Sequence, residues 1–510
     1  MRNVLASTLL AYATACSTDP GSMPDDDQDP IVEPEPTPPA IAMHVAAGSA
    51  RVIRNQTLSI PIEIERNETA TGPIEVTVKD LPGGVDCPSI TIAAGESAGT
   101  LQLAAGTLIA LGTHVTITIE ASGEGVGDSV PVDLRLTDAP GALDITFNTS
   151  GLVSRTFYTG FEFGAATVVQ PDGKILVAAR NTTGQAYYLT RYDANGVVDP
   201  TFNGGTPLAF SSTFTAEIRL AVRGDGTIIL GFETANADGP VAKVYAYTAT
   251  GSPVSGFGNT PTAAVLSSAT IAKPFDFADM VVASDGSIYV GGTANGDFAV
   301  AHFTAAGKLD NAFDGDGIAY VDLGGFDDAR SLVLRSDGRL AIAGTSENVI
   351  QNMALAQLTS TGAPDASMPN NGKLVVENGA TSAFSVVRER PDGTLSVFGS
   401  FSGFLTLHTV DTAGAMQGQP LSTALSPSTR TMLPVDGGYL VVQNAGLVMR
   451  VQRIAFDGTV DDTFGTQGRV DVPMADCSVY DATLDAQGRL VFASGCPLAV
   501  AKSVFGRAWL

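Results

Sequence analysis

The chain is predicted to be an all-β protein in which a β-propeller of about seven blades follows a small β-sandwich. Two features of composition predict this class: charged residues form only 16% of the 510 residues, and glycine occurs 56 times, between short segments rich in Val, Ile, Leu and Phe. Such a composition favours many brief strands separated by turns. The length also exceeds a single hydrophobic core, which stops growing near about 250 to 300 residues, so a repeat array or several domains are expected.

The first 15 residues are predicted to be a signal peptide. Arg2 is followed by an apolar stretch and then by the small residues Ala13, Thr14 and Ala15 directly before Cys16, which is the layout of an export signal. This segment resembles the lipobox of bacterial lipoproteins, and the resemblance implies that Cys16 is lipidated and becomes the mature N-terminus. An ordinary export signal or a misassigned start codon is the alternative. The expected location is the cell envelope, as an outer-membrane lipoprotein whose lipid anchor contacts the membrane.

Residues 16–40 are predicted to form a tether between the lipidated cysteine and the folded part. This segment is rich in proline and carboxylates, a composition that cannot bury apolar surface and that stiffens toward polyproline II. It therefore serves as a spacer from the membrane.

Residues 41–138 are predicted to form the β-sandwich. Leu58, Ile60, Ile62 and Ile64 alternate with more polar residues, and a period of two indicates half-buried strands. About seven such strands in roughly a hundred residues suit a sandwich. The segments LPGGV and ITIAAGESAGTLQL resemble immunoglobulin-like (Ig-like) modules of bacterial surface proteins, although the Cys and Trp signature of antibody domains is missing.

Two markers recur through residues 141–510. The first, Gly-x-x-Asp-x-Thr-Phe, begins at Gly141 and returns about every 55 residues, and the second is an Asp-Gly turn such as Asp172-Gly173. An Asp-Gly pair suits a tight hairpin connection. The first marker starts at positions 141, 196, 251, 307, 362, 414 and 458.

These units resemble the delta-60 repeat, a bacterial family of propeller-type repeats with the pattern G-x-L-D-x-T-F-G and a later P-D-G-K. The resemblance covers residues 141–510 and implies a β-propeller, in which a radial arrangement of blades removes the long edges of an open sheet. It implies no common activity. Some units depart from the pattern; Met368, for example, takes the place of the phenylalanine.

The recurring residues of the first marker are interpreted as structural. The phenylalanines are predicted to pack between neighbouring blades, and the aspartates to accept backbone hydrogen bonds at a turn. A ring of carboxylates that binds cations, calcium included, at one mouth of the channel is the alternative for the aspartates. The phenylalanines are Phe147, Phe202, Phe257, Phe313 and Phe464, and the aspartates are Asp144, Asp199, Asp310, Asp365 and Asp461.

Cys477 and Cys496 are predicted to form a disulfide. They lie almost symmetrically about the turn of the last unit, so they face each other across a hairpin to within one residue of register. A disulfide requires an oxidising compartment, which agrees with export.

The sequence contains no catalytic motif. The formal charge of −25 repels phosphate backbones, so nucleic acid is not an expected partner. The leading hypothesis is an envelope-anchored, non-enzymatic binding or scaffolding protein whose propeller face takes a protein or glycan ligand, with no cofactor.

Two alternatives remain open. One is a polysaccharide hydrolase or lyase that uses channel carboxylates, and the other is a calcium-stabilised structural module. Unlike polar residues that interrupt the repeat on one face would favour an enzyme, and repeated like residues would favour a structural role.

Overall fold

The computed structural model describes residues 40–46, 48–123, 125–155, 162–181, 186–211, 218–236, 239–258, 263–266, 274–377, 379–420, 429–474, 477–496 and 502–510. The predicted signal peptide, Cys16 and all of the tether except its last residue lie outside these ranges. None of the helices within the described ranges has the length and apolar character needed to cross a membrane.

The N-terminal part of the described chain is a β-sandwich. One sheet has the strand order β1-β3-β7-β5 and the other has the order β2-β9-β8-β4-β6. The inward residues of both sheets share one apolar core. Its strands are β1 (Ile41–Val45), β2 (Ser49–Ile53), β3 (Thr57–Arg66), β4 (Ile74–Lys79), β5 (Val85–Asp86), β6 (Ile90–Ile92), β7 (Ala98–Ala105), β8 (His114–Gly123) and β9 (Val126–Thr137).

The period-two pattern of the sequence accounts for this core. Along β3, Ile60, Ile62 and Ile64 are buried while the residues between them are exposed. The first two strands belong to different sheets. Strand β1 pairs antiparallel with β3, and β2 pairs parallel with β9.

The rest of the described chain forms seven four-stranded sheets, here called sheets 1 to 7. Sheets 1 to 6 each contain four consecutive strands, and sheet 7 has the order β10-β37-β36-β35. Sheet 7 combines β10 (Leu152–Arg155), the first strand after the sandwich, with the last three strands, β35 (Ser478–Leu484), β36 (Leu490–Cys496) and β37 (Lys502–Ala508). The other sheets are sheet 1, with β11 (Glu162–Val169), β12 (Ile175–Asn181), β13 (Ala186–Tyr192) and β14 (Leu208–Ser211); sheet 2, with β15 (Ile218–Val222), β16 (Ile228–Asn236), β17 (Gly239–Tyr247) and β18 (Ala263–Leu266); and sheet 3, with β19 (Phe275–Val282), β20 (Ile288–Ala294), β21 (Asp297–Phe303) and β22 (Ile318–Val321). They continue with sheet 4, with β23 (Phe326–Leu334), β24 (Leu340–Glu347), β25 (Gln351–Leu358) and β26 (Lys373–Val376); sheet 5, with β27 (Ser382–Glu389), β28 (Leu395–Phe401), β29 (Phe404–Val410) and β30 (Met416–Pro420); and sheet 6, with β31 (Thr429–Val435), β32 (Gly438–Ala445), β33 (Val448–Ala455) and β34 (Arg469–Pro473). Two single helical turns, Asn203–Gly205 and Pro369–Gly372, precede outermost strands.

The sheets pack face to face around a central axis. Each neighbouring pair shares an apolar cluster, and one of these clusters joins sheet 7 back to sheet 1 through Val491, Phe505, Ile175 and Val177. The first strand of each sheet, β35 in sheet 7, lies innermost, and the innermost strands of most adjacent sheets contact one another. This ring of radial sheets is a β-propeller.

The phenylalanines of the first marker lie in these shared clusters, which confirms their predicted packing role. Phe147 is fully buried between sheets 7 and 1, and Phe313 is buried between sheets 3 and 4. Met368 takes the equivalent place between sheets 4 and 5. A buried aromatic or thioether side chain contributes about 1.5 to 3 kcal/mol at each interface.

The sequence repeats and the sheets are offset from each other. The extended segment that follows the first marker is the outermost strand of the preceding sheet, because β14 pairs with β13 and β10 pairs with β37. The strand at the start of the repeat region therefore completes sheet 7, which otherwise comes from the end of the chain. Pairing of β10 with β37 closes the ring.

The sandwich rests on sheet 7 beside this closure. Arg135 Nη1 donates to the carbonyl oxygen of Gln487 at 2.9 Å, and Arg51 donates to the carbonyl oxygen of Leu510. The sandwich thus contacts both a turn of the closing sheet and the end of the chain.

Candidate binding site in the central channel

The repeat aspartates lie in the connection between the third and outermost strands of their sheets, away from the innermost strands. One oxygen of each carboxylate accepts from the amide two residues on, as in Asp144 Oδ1 with the Thr146 amide at 3.0 Å. This is the turn geometry expected of an aspartate at a chain reversal. The same bond recurs at Asp199, Asp310, Asp365 and Asp461.

The second oxygen of each repeat aspartate faces a basic side chain or a histidine of the same sheet. Asp144 Oδ2 accepts from Arg507 Nε at 2.8 Å and from Arg489 Nη1 at 3.0 Å. The corresponding partners are Arg191 for Asp199, His302 for Asp310, Arg339 for Asp365 and Arg453 for Asp461. Both oxygens of every repeat aspartate are therefore engaged within the chain.

The basic partners also join neighbouring sheets. Arg507 Nη1 donates to the Ala194 carbonyl of sheet 1 at 2.7 Å, and its guanidinium lies 4.8 Å from the ring centroid of Phe147. Arg191 makes the equivalent bond to Ala249 and lies 5.0 Å from the ring centroid of Phe202. The turn, the basic residue and the ring together form a structural unit, which we call the outer latch.

A second set of polar residues lies on the innermost strands of some of the sheets. Asp279 Oδ2 accepts from the Leu332 amide of sheet 4 at 3.0 Å, and Asp481 Oδ2 accepts from the Thr167 amide of sheet 1 at 2.8 Å. Ser331 Oγ accepts from the Val387 amide of sheet 5 at 3.3 Å. These bonds satisfy amides on the inner edge of a strand, which has no further strand to pair with.

β-Bulges place these residues on the channel. Asp279, Ser331 and Asp481 are each the first paired residue after a register shift in their innermost strand. A bulge adds one unpaired residue and changes the direction of the side chains that follow it. The bulge in each innermost strand therefore directs the polar group toward the next sheet.

Two arginines complete the channel cluster, which we define as Arg219, Asp279, Ser331, Arg388 and Asp481. Arg219 Nε donates to Asp279 Oδ1 at 2.9 Å. Arg388 belongs to sheet 5, yet it interacts electrostatically with Arg219 of sheet 2, Asp279 of sheet 3 and Asp481 of sheet 7. Only the central channel brings residues of these sheets together.

Arg388 is the cluster member with unused hydrogen-bonding capacity. Its Nη1 donates to the Val387 carbonyl at 2.8 Å, and no carboxylate of the described ranges lies within ion-pair distance of it. Burial lowers the pKa of Arg388, while the charge of Asp279 acts in the opposite direction. A guanidinium has five donors in a planar fork that matches carboxylate and phosphate groups.

The carboxylates of the cluster differ from Arg388, because both of their oxygens are held by the protein. Besides the Thr167 amide, Asp481 faces Thr431 Oγ1 at 3.4 Å. Burial raises the pKa of Asp481 to about 6, although the Thr167 amide and the charge of Arg219 oppose this shift. Asp481 is partly exposed to solvent because it faces the channel. The channel is narrow, however, so protein atoms still surround the carboxyl group.

The channel cluster was not identified in the sequence analysis, although a signal for it exists. Arg388 lies four residues before the Asp-Gly turn of its unit, where other units have Val168, Val281 and Val333. A charged residue at a position that is apolar in most of the other units marks a departure from the structural pattern. Aligning the repeats with one another would have found it.

The predicted disulfide is confirmed. Cys477 and Cys496 are bonded, with a sequence separation of 19 residues. They follow the pair Ser478 and Gly495 at the end of the β35–β36 ladder, so the bond lies in sheet 7, where the ring closes.

Comparison with known proteins supports a β-propeller family. A family model described as a domain of unknown function (DUF5122) beta-propeller matches residues 170–202, 283–313 and 335–367. These segments carry the hairpin and the first marker of sheets 1, 3 and 4. No curated protein matches the chain.

Several solved structures resemble the chain at low identity. The polysaccharide lyase Uly1 is 11% identical, with a TM-score of 0.43, over 68% of this chain and 90% of its own. The Nup133 β-propeller domain of Vanderwaltozyma polyspora is 11% identical, with a TM-score of 0.37, over 70% of this chain and 100% of its own. An endo-1,4-beta-xylanase of Bacteroides thetaiotaomicron is 10% identical, with a TM-score of 0.29, over 52% of this chain and 97% of its own.

Proposed function

We propose that this protein is a cell-envelope-anchored, non-enzymatic binding or scaffolding protein whose propeller takes a protein or glycan ligand, and that Arg388 in the channel binds an anionic group of that ligand. The observation that carries the proposal is the unpaired Arg388 guanidinium among residues of several sheets. A partly desolvated arginine with free donors strongly favours a carboxylate, sulfate or phosphate group.

The architecture in this proposal is a seven-bladed propeller of delta-60-type repeats behind an Ig-like sandwich. The seven packed sheets and the closing strand β10 support the blade count. The placement of the first two strands, β1 and β2, in different sheets of the sandwich supports the Ig-like assignment. A lipid on Cys16 and the proline-rich tether would hold this assembly away from the membrane.

The cluster of unlike polar residues is the feature that the sequence analysis expected of an enzyme, so a polysaccharide hydrolase or lyase is the second candidate. The raised pKa of Asp481, about 6, favours it, because a general acid works best with a pKa near the operating pH. Against it, the oxygens of Asp279 and Asp481 already accept bonds from neighbouring sheets. A carboxylate that holds the ring together is poorly placed to donate a proton or attack a substrate.

Binding of acidic saccharides tests the proposal. Calorimetry with galacturonate oligosaccharides and their neutral galactose counterparts should show binding of the acidic series only. Arg388→Gln should weaken that binding at least about tenfold, since a charge-assisted pair contributes about 1.5 to 3 kcal/mol. Acidic peptides in parallel distinguish a protein ligand from a glycan ligand.

Arg450→Gln is the matched control. Arg450 pairs with Asp471 at 2.8 Å on the outer strands of sheet 6, so its loss removes a positive charge without touching the channel. The proposal is wrong if neither acidic series binds, or if both arginine variants weaken binding equally. Release of reducing or unsaturated sugar during the incubation would instead identify the enzyme.

The anchor is tested separately by labelling cells with a fatty-acid analogue. The wild-type protein should carry the label and sediment with membranes, and Cys16→Ser should do neither. Label on the Cys16→Ser protein, or none on the wild type, would remove the lipoprotein assignment and leave the binding proposal intact.

A further inference from the structure

Four large apolar side chains are exposed at the same end of three consecutive sheets. In sheet 4, Val349 lies in the β24–β25 turn and Phe326 begins β23 beside the end of β24. In sheet 5, Phe404 begins β29 directly after a tight turn, and in sheet 6, Leu447 lies in the β32–β33 turn. Their exposure runs from 53% to 91%, and they are four of the eight large apolar side chains exposed within the described ranges. We call these four residues the apolar row.

The apolar row lies on the propeller face opposite the sandwich. The strands of each sheet are antiparallel, so the start of the innermost strand and the turn between the second and third strands lie at one face. The turn between the first and second strands lies at the other face. Arg135 of the sandwich contacts Gln487 in a turn of this second kind, between β35 and β36. We therefore call the face that carries the apolar row the distal face.

The hairpins of the propeller do not require these apolar side chains. The corresponding turn of sheet 3 is Asn295-Gly296, and both residues have the positive φ of a tight hairpin turn. Asp297 then begins the third strand of sheet 3, where sheet 5 has Phe404. A polar residue therefore suffices at this position. Exposed apolar side chains that lie together on a protein surface mark a place where another molecule binds.

Exposed carboxylates border the apolar row. Glu347 is the ladder partner of Phe326, and Asp322 lies in the connection that leads from sheet 3 to Phe326. Glu377 follows β26, the outermost strand of sheet 4. All three carboxylates are at exposed positions, so they are available to charged groups of a partner.

The basic side chains at this end of sheets 3 and 4 do not cancel the acidic charge. Arg330 Nε lies 3.3 Å from Asp328 Oδ2, so a further carboxylate balances this arginine. Lys373 Nζ donates to the main-chain oxygen of Asp322 at 2.7 Å. One lysine thus stands against three exposed carboxylates, and the border of the apolar row is acidic.

We propose that the apolar row and its acidic border bind a basic amphipathic segment of a partner protein. Apolar side chains of that segment pack against Phe326, Val349 and Phe404, and its lysine or arginine side chains pair with the carboxylates. An apolar centre with a polar rim is the usual anatomy of a protein interface. Complementary charge adds specificity and speeds the encounter.

Charge distinguishes this partner from other occupants of the distal face. A second copy of the chain, with its own formal charge of −25, brings a like-charged surface against the row, and anionic lipid headgroups meet the same carboxylates, so both are repelled. The site is also separate from the channel. Arg388 favours an anionic group, whereas the distal face favours a cationic one.

Fluorescence anisotropy with short labelled peptides tests this surface. The protein should bind a peptide of leucine and lysine, but neither a leucine–glutamate nor a serine–lysine peptide of the same length, because the site needs apolar and basic groups together. The double variant Val349→Ser and Phe404→Ser should weaken binding at least about tenfold, since it removes apolar area that the peptide covers. Glu347→Gln should weaken binding about threefold and reduce its dependence on salt.

Matched controls lie elsewhere on the molecule. Leu108→Ser in the sandwich and Val197→Ser on the other propeller face change equally exposed apolar residues, and Glu63→Gln removes an exposed carboxylate from β3. All three should bind the leucine–lysine peptide as the wild type does. Because every substituted side chain is exposed, all variants should melt with the wild type. The proposal is overturned if the wild type does not bind this peptide, or if the controls weaken binding as much as the distal variants.

Further measurements separate the other occupants and the channel. The Cys16→Ser protein, which lacks the proposed anchor, should remain in solution with phosphatidylcholine vesicles and sediment as a monomer in the ultracentrifuge. Vesicle binding or dimer formation that the Val349→Ser and Phe404→Ser variant abolishes would overturn the choice of partner in favour of a lipid surface or a second copy. Arg388→Gln should leave binding of the leucine–lysine peptide unchanged, so this proposal and that for the channel stand or fall separately.

Discussion

The outer latch and the channel cluster use similar residues in opposite ways. At the outer latch, an aspartate, a basic residue or histidine and an aromatic ring recur in sheets 7, 1 and 3, and both carboxylate oxygens are engaged. In the channel, five of the seven sheets contribute one polar residue each to the cluster, and Arg388 has no carboxylate partner within the described ranges. The residues that repeat, those of the outer latch, have a structural role. Arg388, which departs from the repeat, has the capacity to bind a ligand.

The largest expected effect concerns the most buried latch. Asp144→Ala should lower the free energy of unfolding by about 3 kcal/mol, because it removes the carboxylate that both buried arginines share and leaves Arg489 and Arg507 with Asp485 alone. Urea denaturation measures this change. Asp461→Ala is the control: its partner Arg453 lies 3.5 Å away at an exposed site, so the loss should be small. Equal losses would show that burial does not set the strength of the latch.

Removal of the disulfide tests the closing sheet. The double variant Cys477→Ser and Cys496→Ser should lose about 3 kcal/mol, because the bond closes a loop of 19 residues. Reduced wild-type protein should match the variant in the same denaturation curve. A variant as stable as the oxidised protein would mean that the hairpin and the strand β10 already hold the ring closed.

Asp481 should make the channel sensitive to pH. Its folded-state pKa, about 6, lies above the ordinary value of 3.8, so the fold favours the protonated form and loses stability as pH rises through about 6. Asp481→Asn should therefore gain in melting temperature over the wild type at pH 8 relative to pH 4.5. Asp392→Asn is the control: the Thr394 bonds lower the pKa of Asp392 below its ordinary value of 3.8, so this carboxyl is already ionised at pH 4.5 and the difference in melting temperature from the wild type should hardly change between pH 4.5 and pH 8.

The smallest effect on stability is expected at Arg388. Arg388→Met should change the free energy of unfolding by less than about 1 kcal/mol, since no ion pair is lost. Arg335→Met is the comparison: Arg335 is buried, contacts Glu389 and Gln357 and donates to the Gly393 carbonyl of the next sheet, so its loss should cost about 3 kcal/mol. A strongly destabilised Arg388→Met protein would assign that residue to the framework instead.

The features predicted from the sequence are those that depend on neighbouring residues. The Asp-Gly turns, the strand Ala186–Tyr192 and the buried phenylalanines follow from local pattern and repetition. The disulfide could be predicted only to within one residue of register. The bulge between Val479 and Asp481 removes that one residue and places Cys477 opposite Cys496.

The sequence by itself determined that this chain is a set of short strands with a repeated turn and a repeated apolar plug, because turns and alternation are local consequences of residue type. The tertiary structure decided which residues meet in the channel and which apolar side chains share the distal face. Asp481 and Thr167 are 314 positions apart, and their contact exists only because the ring closes. No local pattern encodes such a contact, since its geometry depends on the accumulated rotation of all the sheets between them and on bulges that shift the register by single residues.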